Sequence, residues 1–368
     1  MDFSNFFTSA TRPYFQQLAA LLLAFTVSAC GGGGSSNDGG NNPPIEELSD
    51  TEKNIVDVLN FLPTNTDFTL LIESQNRVRF SHSVGDSSSS HIYESASTSK
   101  LVTAAVILSL VRDGILALDD NPQDYISYWP TSGSHSTIQL RHLLNFTSGL
   151  ISEPLCINLA LANFEDCVES ILDSNASISS PGTEFYYGSS HMQVAGLMAM
   201  RASGVSTWTE LFDNFKAETG LFSSGQYDLP SAANPRLAGG MHWRADEYVD
   251  FLSALFHQEI ISPSLINELV KDQIDGADII FSPVLENDVG QDWHYGFGVW
   301  IECSATIFNC TQVTRVSSAG AYGSYPFIDY QHNYIGIIAR QGPLGSGDQG
   351  FAIYEQVADE LATWASEN

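Results

Sequence analysis

The chain has 368 residues, of which 43% are hydrophobic, so it can bury a sizeable core in one large or two closely packed domains. Its 43 Asp and Glu residues against 14 Lys and Arg residues give a formal net charge of -29. This charge repels phosphate backbones and argues against nucleic acid as a partner. Acidity names no substrate, because solubility or a salty medium explains it equally well.

The first 29 residues have the features of an export signal. Residues 18–27 are apolar apart from Thr26, and the run is shorter than the roughly 20 residues that span a bilayer. The following sequence VSAC, at 27–30, resembles a bacterial lipobox and predicts lipidation of Cys30; ordinary secretion with a free thiol is the alternative. Gly31, in place of an aspartate, resembles outer-membrane lipoproteins of a Gram-negative host. We therefore expect a lipid-anchored protein of the bacterial cell envelope.

Composition divides the rest of the chain. Residues 30–47 are rich in Gly, Ser and Asn and predict a flexible tether. Residues 48–368 are expected to form the folded domain, with an α/β part at 48–115 and 236–368 and a mainly helical part at 116–235.

Hydrophobic periodicity predicts strands, then a helical block, then antiparallel strands and a final helix. Residues 97–111 are almost all apolar and predict a buried helix that Ser97 caps and Gly114 ends. Consecutive strands at hairpin spacing favour an antiparallel sheet. The other predicted elements are helices at 55–62 and 350–365 and strands at 67–72, 77–82, 295–301, 311–316, 323–328 and 334–339.

Four cysteines follow Cys30, an even number in a compartment expected to be oxidising. Their spacing favours two short disulfide loops, Cys156–Cys167 and Cys303–Cys310, although other pairings remain open. Neither pair has the CxxC spacing of zinc or redox sites.

Ser97-Thr98-Ser99-Lys100 is an S-x-x-K pattern, in which the serine and the lysine share one helix face. A serine at a helix N-terminus lies near unpaired N–H groups that can stabilise an oxyanion. Lys100, one of four lysines in the chain, lies in an apolar run, and burial should lower its pKa toward that of a neutral base. A capping serine with an exposed lysine is the structural alternative.

Residues 95–122, around this pattern, resemble the serine β-lactamase-related family, which includes class C β-lactamases, family VIII carboxylesterases, D-aminopeptidases and 6-aminohexanoate-dimer hydrolases. Three further segments resemble family motifs in the same order, at 140–150, 181–196 and 238–252. The resemblance covers nearly all of residues 66–360. It implies a β-lactamase/transpeptidase-like α/β fold of the α+β type, with an antiparallel sheet flanked by helices and an inserted, mainly helical domain.

The resemblance also assigns a second catalytic motif. Tyr187 aligns with the family tyrosine that passes protons between nucleophile and leaving group, as a phenol or a phenolate. We expect its neighbours to lower its pKa from about 10; adjacent Tyr186 is the rival. Ser189 replaces the usual asparagine, which puts recognition of a substrate amide in doubt. His142 and His191 are interpreted as structural.

The third motif departs furthest from the family. In a short register Ser318-Ala319-Gly320 replaces H-x-G, and the N–H groups of Ala321 and Ser97 form the oxyanion hole. In a longer register Arg315 replaces the family lysine and the Ser318 N–H is the second donor. Gly320 is either a simple strand or turn glycine or a point where the backbone closely approaches a ligand.

These assignments predict a serine hydrolase that forms an acyl-enzyme on Ser97, needs no cofactor and acts on a small ester or amide. Esters are the first choice, amides or D-amino-acid peptides the second and β-lactams the third. A non-catalytic envelope-binding lipoprotein is the alternative of another class. There is no G-x-S-x-G elbow, and no H-E-x-x-H or His/Asp/Cys cluster that would predict a metal site.

Overall fold

A computed structural model of the chain describes residues 47–287 and 289–368. The predicted signal peptide, the lipidated Cys30 and nearly all of the predicted tether lie outside the described residues. Leu48–Asn368 forms one compact unit. None of the helices in the described part of the chain combines the length and hydropathy that a membrane crossing requires.

The helices are α1 Asp50–Phe61, α2 Ser99–Arg112, α3 Leu140–Leu144, α4 Phe164–Ser174, α5 Ser190–Ser203, α6 Trp208–Thr219, α7 Ala245–Phe256, α8 Pro263–Leu269, α9 Pro283–Glu286, α10 Gln349–Glu355 and α11 Ala358–Glu367. The strands are β1 Phe68–Ser74, β2 Arg79–Val84, β3 Ile92–Glu94, β4 Glu184–Tyr186, β5 Gln226–Tyr227, β6 Pro230–Ser231, β7 Asn234–Pro235, β8 Met241–Arg244, β9 Asp278–Phe281, β10 His294–Tyr295, β11 Trp300–Glu302, β12 Arg315–Ser317, β13 Tyr325–Asp329 and β14 Tyr334–Arg340.

A seven-stranded antiparallel sheet in the order β10-β11-β12-β13-β14-β1-β2 forms the centre of the α/β part. Every residue of β1 and β14 is buried, because α7 packs on one face of these central strands while α1, α10 and α11 cover other parts of the sheet. This confirms the expected fold class. In the mainly helical part, α5 packs against α2, α3, α4 and α6.

Several element boundaries differ from the sequence prediction. The strand expected at 295–301 is two short strands, since Gly298 has φ +74° and turns the chain between β10 and β11. The single closing helix expected at 350–365 is divided into α10 and α11, with Gln356 and Val357 between them. Gly114 has φ +70° beyond the end of α2, which confirms the predicted helix end.

Both expected disulfides are present. Cys156–Cys167 joins the loop before α4 to that helix, and Cys303–Cys310 closes the connection between β11 and β12. The second disulfide therefore constrains the loop between two strands of the central sheet.

Candidate active site

Ser97 lies in a 3-10 turn, Ala96–Thr98, that leads directly into α2. The prediction that Ser97 caps the helix is wrong, because α2 begins at Ser99 and Thr98 is its N-cap. The hydroxyl of Ser97 is therefore not used to close the helix end. It lies in the wall of a cleft instead.

The turn that carries Ser97 is held in an unusual conformation. Ala96 has φ +43°, a region that L-residues with a Cβ rarely adopt and that costs on the order of 1–3 kcal/mol. Two buried side chains fix the turn from behind: the Trp243 indole donates to the Thr98 hydroxyl at 2.8 Å, and the Tyr248 hydroxyl donates to the Thr98 carbonyl at 2.8 Å. Packing thus imposes the strained backbone next to Ser97.

Lys100 is 4% exposed, and its amine lies within the site. Its Nζ forms a 2.9 Å hydrogen bond with the Ser97 Oγ and donates to the Ala238 carbonyl at 2.8 Å. Burial, reinforced by the positive charge of Arg236 and opposed by Glu153, lowers the pKa of Lys100 to about 7. A substantial fraction of the amine is thus neutral near pH 7 and can accept a proton from Ser97.

Tyr187 meets the same pair. The Lys100 Nζ lies 4.5 Å from the centre of the Tyr187 ring, and the Tyr187 phenol lies close enough to the Ser97 side chain for that group to lower its pKa. The expectation of a lowered pKa is wrong, because burial raises the pKa of Tyr187 more than the Ser97 hydrogen bond lowers it. Tyr187 is therefore a neutral phenol that can donate a proton.

Tyr187 owes its position to a short parallel pairing that the sequence did not predict. Strands β4 and β9 pair immediately before it, and the Tyr187 N–H donates to the Phe281 carbonyl at 3.1 Å. The ring then stacks on Trp300 with centroids 5.0 Å apart. The neighbouring Tyr186 packs its ring against Phe281 instead, which favours Tyr187 over its rival.

The segment after β12 passes very close to the Ser97 turn. A Cβ atom on Gly320 would lie 2.7 Å from the Ser95 carbonyl and 3.0 Å from the Thr98 methyl. Glycine is therefore required by close backbone approach rather than by turn geometry. The approach brings Ala321 into the wall of the cleft that Ser97 also lines.

The backbone donors at this point favour the short register. The N–H groups of Ser97 and Ala321 donate to no acceptor among the described residues. The Ser318 N–H, the second donor in the long register, is already bonded to the Pro326 carbonyl at 3.1 Å. Ser97 and Ala321 thus supply two unused donors to one cleft, as an oxyanion hole requires.

Ser318 and Arg315, which the sequence placed among possible substrate ligands, form hydrogen bonds within the protein instead. The Ser318 hydroxyl is 3.3 Å from the Ser97 carbonyl and 3.4 Å from the Gly298 carbonyl, so it ties the third motif to the nucleophile turn. Arg315 donates to Glu302 at 2.5 Å and to the Tyr354 hydroxyl at 2.7 Å. These contacts direct its guanidinium to the sheet and to α10, not to the cleft.

Ser189 and His191 lie just beyond Tyr187, at the start of α5. Ser189 is the N-cap residue, and its backbone N–H donates to the Glu153 carboxylate. His191 is fully buried between the Ser148 hydroxyl at 2.7 Å and the Tyr186 carbonyl at 2.9 Å. Burial lowers the pKa of His191 to about 3, so its ring stays neutral and has the structural position that was expected.

The cleft has a volume of about 260 Å³ and runs from Ser97 and Tyr187 into an apolar recess. Sequence reasoning missed most of this recess, because its lining residues come from segments that are separated along the chain. The Gly-rich stretch at 342–347 is the signal that could have indicated the other wall. The recess is lined by Phe281, Pro283, Val284, Asn287, Val289, Trp293, Trp300, Ala319, Gly345, Gly347, Asp348 and Phe351.

The fold, together with a serine, a buried lysine and a tyrosine in hydrogen-bonding reach, defines the class of serine hydrolases. The sequence profile of the Beta-lactamase family matches residues 70–355. The chain therefore belongs to the β-lactamase family. Curated protein sequences give no match to it.

Solved structures of related enzymes share the fold. A candidate β-lactamase from Bacteroides dorei has a TM-score of 0.69 and 25% identity, covering 80% of this chain and 93% of its own. The hydrolase EstCE1 has a TM-score of 0.68 and 16% identity over 85% of this chain and 98% of its own. The D-amino acid amidase from Ochrobactrum anthropi has a TM-score of 0.65 and 16% identity over 87% and 100%.

Proposed function

We propose that this protein is a carboxylesterase that forms an acyl-enzyme on Ser97. The observation that carries the proposal is the 2.9 Å contact between the Ser97 hydroxyl and the Lys100 amine, whose pKa is lowered to about 7. A serine hydroxyl is a weak nucleophile unless an adjacent base takes its proton. Lys100 is that base, held in place by the Ala238 carbonyl.

The first half-reaction forms a bond between the Ser97 oxygen and the ester carbonyl carbon. The serine proton goes to the neutral amine of Lys100, and the carbonyl oxygen becomes an oxyanion that accepts from the N–H groups of Ser97 and Ala321. The bond to the alcohol oxygen then breaks. Tyr187 gives its proton to the departing alkoxide and regains one from the Lys100 ammonium.

In the second half-reaction water hydrolyses the acyl-enzyme, and the same groups transfer protons in the reverse order. The water adds to the acyl carbon and transfers a proton through the Lys100 amine. The second tetrahedral intermediate releases the acid and returns a proton to the Ser97 oxygen. No cofactor takes part in either half-reaction.

The backbone of the third motif supports esters over peptides. The Ala321 carbonyl accepts hydrogen bonds from the Gly345 N–H at 3.0 Å and the Ser346 N–H at 3.1 Å. Both of its lone pairs are therefore used within the chain. A peptide that added as a strand beside this segment would need that acceptor, whereas a simple ester has no N–H to place there.

The charges around the cleft support the same choice. Among the described lining residues, Asp348 alone carries a formal charge, and it is negative. Arg315 is committed to Glu302. A substrate carboxylate, such as penicillins and D-Ala-D-Ala peptides present, thus finds no cationic partner among the described residues that line the cleft. D-amino acid amides, named for the Ochrobactrum relative, rank second.

The test has two parts. A fluorophosphonate probe should label the folded protein, and Ser97→Ala should abolish labelling while leaving the thermal midpoint unchanged. A panel of p-nitrophenyl esters, aminoacyl p-nitroanilides and nitrocefin should show turnover of the esters first. Absence of labelling and of turnover would instead identify a non-catalytic binding protein on an enzyme fold.

We also propose that the protein is anchored to the bacterial cell envelope through a lipid on Cys30, most simply in the outer membrane of a Gram-negative host. Support comes from the lipobox-like sequence at 27–30 and the Gly/Ser-rich run after it. Expression with labelled palmitate should give a labelled membrane-bound form, and Cys30→Ser should release an unlabelled one. Equal membrane binding of both forms would contradict the proposal.

A further inference from the structure

We propose that the apolar recess beside Ser97 receives the alcohol half of the ester and selects bulky, uncharged alcohols. This inference rests on the proposed esterase activity and assigns a substrate preference to the same site. It concerns the leaving group, so it is separate from the identity of the acyl group.

The recess begins at the catalytic tyrosine. Tyr187 stacks on Trp300, and both rings line the cleft. Trp293, Val284 and Phe351 line it as well, and they are 3%, 6% and 6% exposed. These side chains come from three separate segments, and Trp293 and Phe351 meet edge to face with centroids 4.9 Å apart. The recess is thus preformed by packing.

Its position relative to Tyr187 decides which half of the ester it holds. The phenol must be in contact with the alkoxide oxygen in order to protonate it, so the group attached to that oxygen lies on the Tyr187 side. Lys100, which donates to the Ala238 carbonyl, is not among the described residues that line the recess. Neither is Arg236, which donates to the Asn158 side chain at 2.8 Å. The apolar recess therefore binds the alcohol part of the ester.

The size of the recess limits the alcohol. Sites for drug-sized ligands are typically about 300–1,000 Å³, and this cleft measures about 260 Å³ including the space next to Ser97. One aromatic ring or a short branched chain fills it. Each methylene buried in such a pocket contributes on the order of 0.8 kcal/mol, so benzyl or isoamyl esters should be preferred over methyl and ethyl esters.

Asp348 adds a charge filter. It lies at the rim, before α10, and is exposed to solvent. Water screens it, so its effect on a charged substrate is modest, about two- to fivefold. A carboxylate on the alcohol is disfavoured, while a neutral alcohol is unaffected.

The experiment uses two ester series and a matched pair of variants of the full chain. The first series keeps the acetyl group and varies the alcohol from methyl to benzyl; the second keeps the methanol group and varies the acyl chain from acetyl to phenylacetyl. Val284→Trp fills the recess, while Leu285→Trp places the same bulk on the exposed side of α9, where Leu285 is 48% exposed. Acid release is followed by titration.

Val284→Trp should lower kcat/KM for benzyl acetate at least about tenfold more than it lowers kcat/KM for methyl acetate, and Leu285→Trp should change neither. Asp348→Asn should raise kcat/KM for the acetate of 4-carboxybenzyl alcohol about two- to fivefold, while kcat/KM for benzyl acetate stays unchanged. The assignment is overturned if Val284→Trp instead lowers kcat/KM for the esters with larger acyl groups, or if it lowers kcat/KM in neither series.

Failure of the inference can be told from failure of the proposed function. Ester turnover and Ser97 labelling without alcohol selectivity overturn only the assignment of the recess. No turnover and no labelling overturn the esterase itself. A thermal midpoint of Val284→Trp close to that of the wild type, together with labelling of Ser97, shows that this variant is folded and keeps its nucleophile.

Discussion

The Nζ atom of Lys100 lies 2.9 Å from the Oγ atom of Ser97. Replacing the amine by an apolar group of similar length should remove the base and keep the fold, because burying Lys100 charged is unfavourable. We expect Lys100→Met to lower kcat by about 10²–10⁴-fold on any ester that is turned over. Lys271→Met, at an exposed lysine, is the control and should keep full activity.

The pH dependence follows from the same amine. Lys100 acts as a base when neutral, and its pKa is lowered to about 7. We expect kcat/KM to rise with pH through about 7 and to be lost in acid. Burial raises the pKa of Tyr187, so the phenol keeps its proton and no alkaline fall from this group is expected below about pH 10. A pH–rate profile that rises near pH 4–5 would indicate a carboxylate base instead.

The two adjacent tyrosines can be separated by paired substitutions. Tyr187→Phe removes the proton donor but keeps the ring on Trp300, so kcat should fall about 10²–10⁴-fold with little change in the thermal midpoint. Tyr186→Phe is the matched control, since its ring packs on Phe281 outside the relay. Equal losses in both variants would contradict the assignment of Tyr187 as the donor.

Gly320 is a test of the oxyanion hole. A methyl group there would lie 2.7 Å from the Ser95 carbonyl, so Gly320→Ala must push Ala321 away from the Ser97 turn. We expect kcat to fall about 10²–10³-fold, as on loss of one donor. At Gly347 the nearest atom to a new methyl is the Gly320 carbonyl at 3.4 Å, so Gly347→Ala should be folded and nearly as active on methyl acetate.

Arg315 distinguishes the two registers of the third motif. Its guanidinium pairs with the Glu302 carboxylate, which is 2% exposed, so Arg315→Met would leave a buried charge unpaired. We expect a loss of about 3–5 kcal/mol in the free energy of unfolding. KM for esters should stay unchanged at temperatures where the variant is folded. A rise in KM that is confined to carboxylate-bearing substrates would favour the longer register.

Predictions from the sequence were most accurate where short-range patterns dictate structure. The apolar run at 101–110 produced a buried helix, and alternating strands with hairpin spacing produced an antiparallel sheet. They failed where a turn depends on distant packing. Ser97 was expected to cap α2, but Trp243 and Tyr248 hold Thr98 in that position. Their hydrogen bonds come from residues about 145–150 positions later in the chain, beyond the reach of local propensity.

The sequence by itself determined the family through the resemblance of its motifs. It also determined the fold class and the spacing that joins Ser97 to Lys100, because these depend on hydrophobic periodicity and on helix geometry. Only the tertiary structure decided the protonation states of Lys100 and Tyr187, since desolvation depends on what surrounds a group and not on its neighbours in the chain. It also decided the shape of the recess. Trp300, Val284 and Phe351 are distant in sequence, and only packing of the sheet against α9 and α10 brings them together.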